Sequence, residues 1–241
     1  MIKQFAHYMI TKALGPKFEF HSHGYMRHTA RTLEHLASLR IPVDGRTVLE
    51  VGAGIGDLSH FFLDRNCQVT ITEARATNLR YLRRRYPGRD IRRLDLEQPD
   101  TIETFEIVHC YGLLYHLSNP ASALAYLSAH CEKMLFLETC VSFGEDCEIN
   151  LVKENSAKPS QAISGIGCRP TRPWVFAELK KRFEHVYVPT TQPNSPQFPL
   201  DWDLPEAHRR PLSRAVFVAS RQAIENDALS AHLVARQTRH P

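Results

Sequence analysis

The sequence lacks any C-x-x-C pair, and none of its cysteine pairs is matched by two histidines at zinc spacing. That excludes the zinc-ribbon and dithiol-redox readings, and no metal site is expected. Two of its six cysteines lie in the apolar runs VHCYG and LETCV, where buried, reduced thiols are expected. No run approaches 18 apolar residues, so no membrane-spanning helix and no membrane partner are expected. The N-terminus, MIKQFAHYMITKALGPK, is interrupted by Lys3, Gln4, His7, Thr11 and Lys12, and it offers no signal-peptide core. The default location is therefore cytoplasmic. An excess of one sign of charge is also lacking. A formal charge of +4 over 241 residues does not by itself call for a nucleic-acid partner. There is no internal repeat and no low-complexity tract.

What is present is an alternation of strand and helix. Leu33, Leu36 and Leu39 mark an amphipathic helix ending before Pro42. TVLEV is a short buried strand with a glycine turn after it, and DLSHFFLDRN follows as a helix. CQVTITEA is a strand, and TNLRYLRRRYP is a helix that Pro87 stops. DIRRLDLE, FEIVHCYG and KMLFLETCV are further strands. Between the last two, NPASALAYLSAHC is a helix with Asn119 as N-cap and Pro120 at its first position. Such a rhythm implies crossover connections, hence an α/β, Rossmann-like, mostly parallel sheet with helices on both faces. Ligands in such sheets bind at the carboxyl ends of the strands.

After residue 141 the rhythm breaks. Nine of the fifteen prolines fall between Pro159 and Pro211. Within this stretch WVFAELKKRF is a helix and HVYVP a strand, and RAVFVASR follows as the last strand. The expected organisation is one domain over 1–241, with an N-terminal helical cap at 1–44 and a substrate-binding insertion or lid at 142–211.

Residues 48–57 read VLEVGAGIGD. A dinucleotide fingerprint would place its third glycine at position 57, where Asp57 stands. The spacing G-x-G-x-G, with Glu50 two positions before Gly52, instead resembles motif I of the class I S-adenosylmethionine-dependent methyltransferases. A second segment, YGLLYHLSNP (111–120), resembles the G-[VL]-L-Y-H-L stretch of the same superfamily. The resemblance spans roughly residues 45–140.

It implies a seven-stranded sheet whose last strand inserts antiparallel beside the fifth. It implies S-adenosyl-L-methionine as cofactor, with S-adenosyl-L-homocysteine as product. The expected cofactor contacts are Glu50, Gly52, Ala53, Gly54, Gly56, Glu73, Ala74, Asp95, Leu96, Cys110 and Tyr111. Glu73 would take the ribose hydroxyls. Asp95 and the Leu96 amide would take the adenine. Tyr25, just ahead of the first helix with His21 and His23, is a further contact from an element closing over the cofactor.

His116 is the expected proton acceptor or substrate-orienting group, since its ordinary pKa suits the task. Tyr115 would line the methyl channel. In the unusual segment ISGIGCRPTRPW (163–174), Arg169 and Arg172 could hold a carboxylate or phosphate. Glu154 and Asn155 stand just before it as candidate substrate contacts.

Eight arginines between Arg75 and Arg93 leave an RNA surface open. No aromatic residues of the single-strand-binding kind accompany them. The leading reading is methylation of an oxygen or nitrogen of a small molecule. The N-P-P-[YF] motif for base amines and side-chain amides is absent, and HCYG stands in its place. The alternatives are a tRNA or rRNA methyltransferase and a non-catalytic regulatory partner that binds S-adenosylmethionine. The sequence does not fix an oligomeric state.

Overall fold

The structure, a computed structural model, describes residues 15–241. The first fourteen residues of the expected N-terminal cap lie outside the described residues. The chain enters through a one-turn helix α1 (Lys17–Phe20) and the long helix α2 (His23–Ser38). His23 and Tyr25 therefore lie inside α2, not ahead of the first helix, with Ser22 as N-cap.

Five parallel strands follow: β1 (Thr47–Val51), β2 (Gln68–Glu73), β3 (Asp90–Arg93), β4 (Phe105–Tyr111) and β5 (Cys131–Val141). The helices between them are α3 (His60–Leu63), α4 (Ala76–Arg85) and α5 (Pro120–Ala129). Asn119 caps α5 as expected, its side chain accepting from the Ser122 amide at 3.1 Å. The helix expected over DLSHFFLDRN shrinks to α3. Residues 54–59 ahead of it are spent on the turn.

Among the described residues the sheet has eight strands in the order β11 (Leu229–Ser230), β8 (His185–Pro189), β10 (Ser213–Ser220), β5, β4, β1, β2 and β3. Strand β10 lies antiparallel between β5 and β8. The seven expected strands are present, and the two-residue strand β11 adds an edge. RAVFVASR is thus not the last strand, for β11 and β12 (Thr238–Arg239) come after it.

Alternation along β1 decides what goes where. Leu49 and Val51 face a core closed by Leu124 and Leu127 of α5 and by Val175 and Leu179 of α6 (Arg172–Lys180). Val48 faces the opposite core with Leu36, Phe62 and Leu82.

The segment 142–211 does not form one insertion. Residues 172–189 fold into α6 and β8, because their apolar side chains complete the first core and the sheet. The hairpin β6 (Ile149–Lys153) and β7 (Ile166–Pro170), with the loop between them, is what projects over the carboxyl end of the sheet. The residue pair β9 (Thr191–Gln192) and β12 ties the C-terminus to the connection after β8.

Candidate active site

The glycine turn leaves β1 at its carboxyl end. Gly52 and Gly54 have φ of +69° and +59°, the left-handed region that favours glycine. A Cβ on Gly52 would stand 2.8 Å from Leu113 Cδ2, and one on Gly54 would stand 2.9 Å from the Phe20 ring. The turn is therefore covered from two sides, and only bare backbone fits beneath the cover.

Two cavities meet here. The first, of about 80 Å³, is bounded by Gly54, Glu73, Asp95, Leu96, His116 and the loop 159–163. The second, of about 160 Å³, runs deeper, past Tyr111 and Tyr115 to Glu138, Arg214 and His28. Phe20, Tyr25, Gly52 and Gly112 line both, so the cavities adjoin.

Glu73 ends β2 with its carboxylate buried. Its Oε2 accepts from the Gly54 amide and its Oε1 from the Arg75 amide, both at 2.8 Å. Each oxygen keeps a further lone pair for a ligand hydroxyl. Burial pushes this carboxyl above its ordinary value, and the two amides pull the other way. Asp95 accepts from the Glu97 amide at 3.1 Å and stands beside Leu94 and Leu96, which give the cavity an apolar wall.

The sequence-based expectations divide. Gly52, Gly54, Glu73, Ala74, Asp95, Leu96 and Tyr25 line the first cavity, and Tyr111 and Tyr115 line the second. Gly56 lines neither. It serves the fold, because a Cβ there would stand 2.6 Å from Tyr86, whose hydroxyl donates to the Gly56 carbonyl at 2.7 Å. Ala53 packs against the second core. Cys110 is fully buried, with its thiol pushed up to about 12 by burial. Glu50 lies buried beneath the turn. Neither of its carboxylate oxygens has a hydrogen-bond partner among the described residues, and burial pushes it up to about 7.

His116 borders the first cavity. Its Nδ1 is held by Glu154, which also accepts from the Ala162 amide at 2.8 Å and from Arg169 Nη2 at 3.2 Å. Glu154 thus pins the loop 155–163 to the segment after β4, and His116 is half of that pin. Arg75 holds the same loop from the other side, donating to the Ser156 and Gln161 carbonyls at 3.0 Å.

Arg169 and Arg172, expected to hold a substrate anion, are committed elsewhere. Arg169 donates to the Tyr115 and Cys168 carbonyls as well as to Glu154. Arg172 donates to the Val234 carbonyl at 2.7 Å and lies over the Trp202 ring at 4.3 Å. It borders a third cavity away from the turn. Asn155 lines neither cavity of the site. Its side chain accepts from the Ala157 amide at 3.0 Å and shapes the loop.

The arginine cluster is also partly spent inside. Arg75 clamps the lid, Arg85 pairs with Asp57, and Arg92 bridges Asp90 and Glu103. Arg80, Arg83, Arg84 and Arg89 face solvent.

Three groups of the deep cavity are absent from the sequence-based expectations: Glu138, Arg214 and His28. Arg214 Nη1 donates to Glu138 Oε1 and Oε2 at 2.9 and 3.2 Å, and both residues are buried. Its Nε donates to Gln197 at 2.8 Å and its Nη2 to the Tyr115 hydroxyl at 3.0 Å. A sequence signal existed. Each stands in an otherwise apolar strand, FLETCV and SRAVFVAS, where an ionised side chain needs a partner.

The residues fit the implied cofactor. The glycine cradle excludes side chains, Glu73 has spare acceptors for a ribose, and Asp95 stands beside an apolar wall suited to an adenine.

Residues 49–133 match the family model of a methyltransferase domain. No curated protein matches the sequence. Among solved structures, the chain is similar to the N-terminal domain of EvdMO1 in the presence of SAH and D-fucose. The TM-score is 0.59 at 19% identity, over 84% of each chain. SAM-bound CalS10, an amino pentose methyltransferase from Micromonospora echinaspora, gives 0.52 at 20% identity, over 88% of this chain and 97% of that one. Magnesium protoporphyrin IX methyltransferase from Synechocystis PCC 6803 gives 0.55 at 13% identity, over 83% and 80%. Residues 49–133 are a methyltransferase domain by this match, and the solved S-adenosylmethionine-dependent methyltransferases share the fold of the chain.

Proposed function

We propose that this chain methylates an oxygen or nitrogen of a small molecule, with S-adenosylmethionine in the first cavity and the acceptor in the second. The observation that carries the reading is the shared boundary. The cavity at the glycine turn and the deep polar one meet at Gly52 and Gly112, so a donor in one adjoins an acceptor in the other. Bound S-adenosylmethionine supplies an electrophilic methyl, which the acceptor lone pair takes as the C–S bond breaks and its electrons remain on sulfur.

The protein's own part is alignment and exclusion of water. Phe20 and Tyr25 pack edge to face, ring centroids 5.0 Å apart, over the turn. The Arg75 and Glu154 contacts hold the loop 155–163 closed over the first cavity. Tyr115 faces the acceptor. We assign His116 to the loop contact rather than to proton removal, since it does not line the deep cavity.

Small-molecule specificity follows from the walls of the deep cavity, which α2, β4, β5 and β10 form. The comparison enzymes include one for an amino pentose and one for magnesium protoporphyrin IX, and small molecules are the class extended to this chain. The test is methyl-labelled S-adenosylmethionine offered with a deproteinised low-molecular-weight extract and, separately, with total tRNA. Label in the small-molecule fraction is expected. Label in tRNA alone would reverse the assignment and give the exposed arginines of α4 their role.

A further inference from the structure

The deep cavity carries more hydrogen-bonding capacity than the protein itself uses. The Tyr111 hydroxyl is buried without a partner among the described residues. So is Nδ1 of His28, whose ring stacks on Phe198 with centroids 5.8 Å apart and an interplanar angle of 9°. The Tyr115 oxygen accepts from Arg214, which can only donate, so the phenolic proton of Tyr115 remains to be given to something else. Buried polar groups left in this way cost stability unless a ligand or water meets them.

The charges, by contrast, are already compensated. Arg214 is matched by Glu138, and Asp57 at the rim by Arg85, with His21 at 3.4 Å. His28 is uncharged at neutral pH, because burial and the neighbouring Arg214 push it down to about 3. An anionic or cationic acceptor would enter a site with no unpaired counter-charge among the described residues and would lose hydration without return. Unmet donors and acceptors in one charge-balanced space suit a different chemistry. A hydroxyl both donates and accepts. A carboxylate only accepts and an ammonium only donates.

We propose that His28, Tyr111 and Tyr115 form the acceptor subsite and that it takes an uncharged, hydroxyl-rich ring, with His28 as a specificity-determining residue. This rests on the reading of the deep cavity as the acceptor side, and it narrows the acceptor class within it. His28 accepts a hydrogen bond from one hydroxyl, and the phenols of Tyr115 and Tyr111 meet others. The stack on Phe198 fixes the imidazole plane.

The test is saturation-transfer NMR on protein loaded with S-adenosylhomocysteine. The probes are methyl α-D-glucopyranoside and myo-inositol as neutral polyols, benzoate as an anion and choline as a cation. Saturation of the polyols and not of the ions is expected. His28→Phe keeps the ring stack and removes the nitrogens, and it should weaken polyol binding by at least about fivefold. His28→Gln restores an acceptor and should recover part of the loss. Stronger saturation of benzoate or choline than of the polyols would overturn the acceptor class. Unaltered polyol binding in His28→Phe would overturn the role of His28. The same spectra on cofactor-free protein separate the two levels. Failure to bind S-adenosylhomocysteine removes the cofactor reading, while the polyol result still judges the subsite.

Discussion

The two adjoining cavities are built in opposite ways. The first is made mainly of backbone: a glycine turn, strand ends and amides that meet Glu73. Its floor, Gly52, Gly54, Glu73 and Asp95, lies within 44 residues of chain after the ends of β1, β2 and β3, while Phe20, Tyr25 and the loop 159–163 cover it. The second is made of side chains from α2, β4, β5 and β10, brought together only by folding. A backbone site tolerates side-chain change around it and fixes one ligand. A side-chain site can be re-lined, and in this molecule it sets the acceptor.

The largest expected effect separates the cavities by stability. Arg214→Met leaves Glu138 buried without its partner and should cost roughly 3–5 kcal/mol in chemical denaturation. The double variant Arg214→Met with Glu138→Gln should recover most of that. If the single variant is as stable as the parent, the deep cavity is open to water and the comparison fails.

Next comes Glu50, beneath the turn. Its folded-state pKa stands near 7, above the ordinary 4.5, so the folded state holds the proton more tightly. Its contribution is whole below the ordinary value and is lost as pH rises through about 7. Glu50→Gln should therefore raise the stability of cofactor-free protein at about pH 8 by on the order of 2 kcal/mol, and leave it unchanged near pH 4.5. Thermal melts at the two pH values read this directly.

Gly54→Ala probes the backbone cradle. A positive φ and the Phe20 ring together should cost roughly 1–2 kcal/mol, and Phe20→Ala should relieve the part due to the clash. Equal losses in both backgrounds would mean that strain alone is at work.

The smallest effect is expected far from both cavities. Glu106 accepts from Lys133 and from Arg46, both at 2.7 Å, and these hold it down at about 2. Its contribution is present above the ordinary carboxyl value and fades as pH falls through about 2. Glu106→Gln should cost at most about 1 kcal/mol near neutral pH, because its partners are exposed, and the difference should vanish in acid.

The same contrast explains what was legible in the sequence. Gly52, Gly54, Glu73 and Asp95 announce the first cavity, because strand-end position and φ are local properties that a one-dimensional pattern carries. Gly56 shares the pattern but serves Tyr86, a contact 30 residues away that the motif does not reveal. Arg169 and Arg172 stand in the sequence as guanidinium groups able to hold a carboxylate or phosphate. Their partners, Glu154, the Tyr115 carbonyl and Val234, come from other elements, and only the fold supplies them. Glu138 and Arg214 lie 76 residues apart and pair through the antiparallel insertion of β10, so their meaning depends on topology. His28 was hidden because a histidine on an amphipathic helix carries no signal until the helix is docked. The seven main strands and the antiparallel seventh were readable, since alternation and family resemblance fix them. The hairpin β6–β7 was not, because its strands lack a clean apolar alternation.

The central claim is that Glu73 and the glycine turn hold S-adenosylmethionine beside the acceptor cavity. Calorimetric titration of the protein and of Glu73→Ala with S-adenosylhomocysteine tests it most directly. The account predicts roughly micromolar affinity for the parent and about a 100-fold loss in the variant. Equal affinity in the two, or no heat with the folded parent, would contradict it.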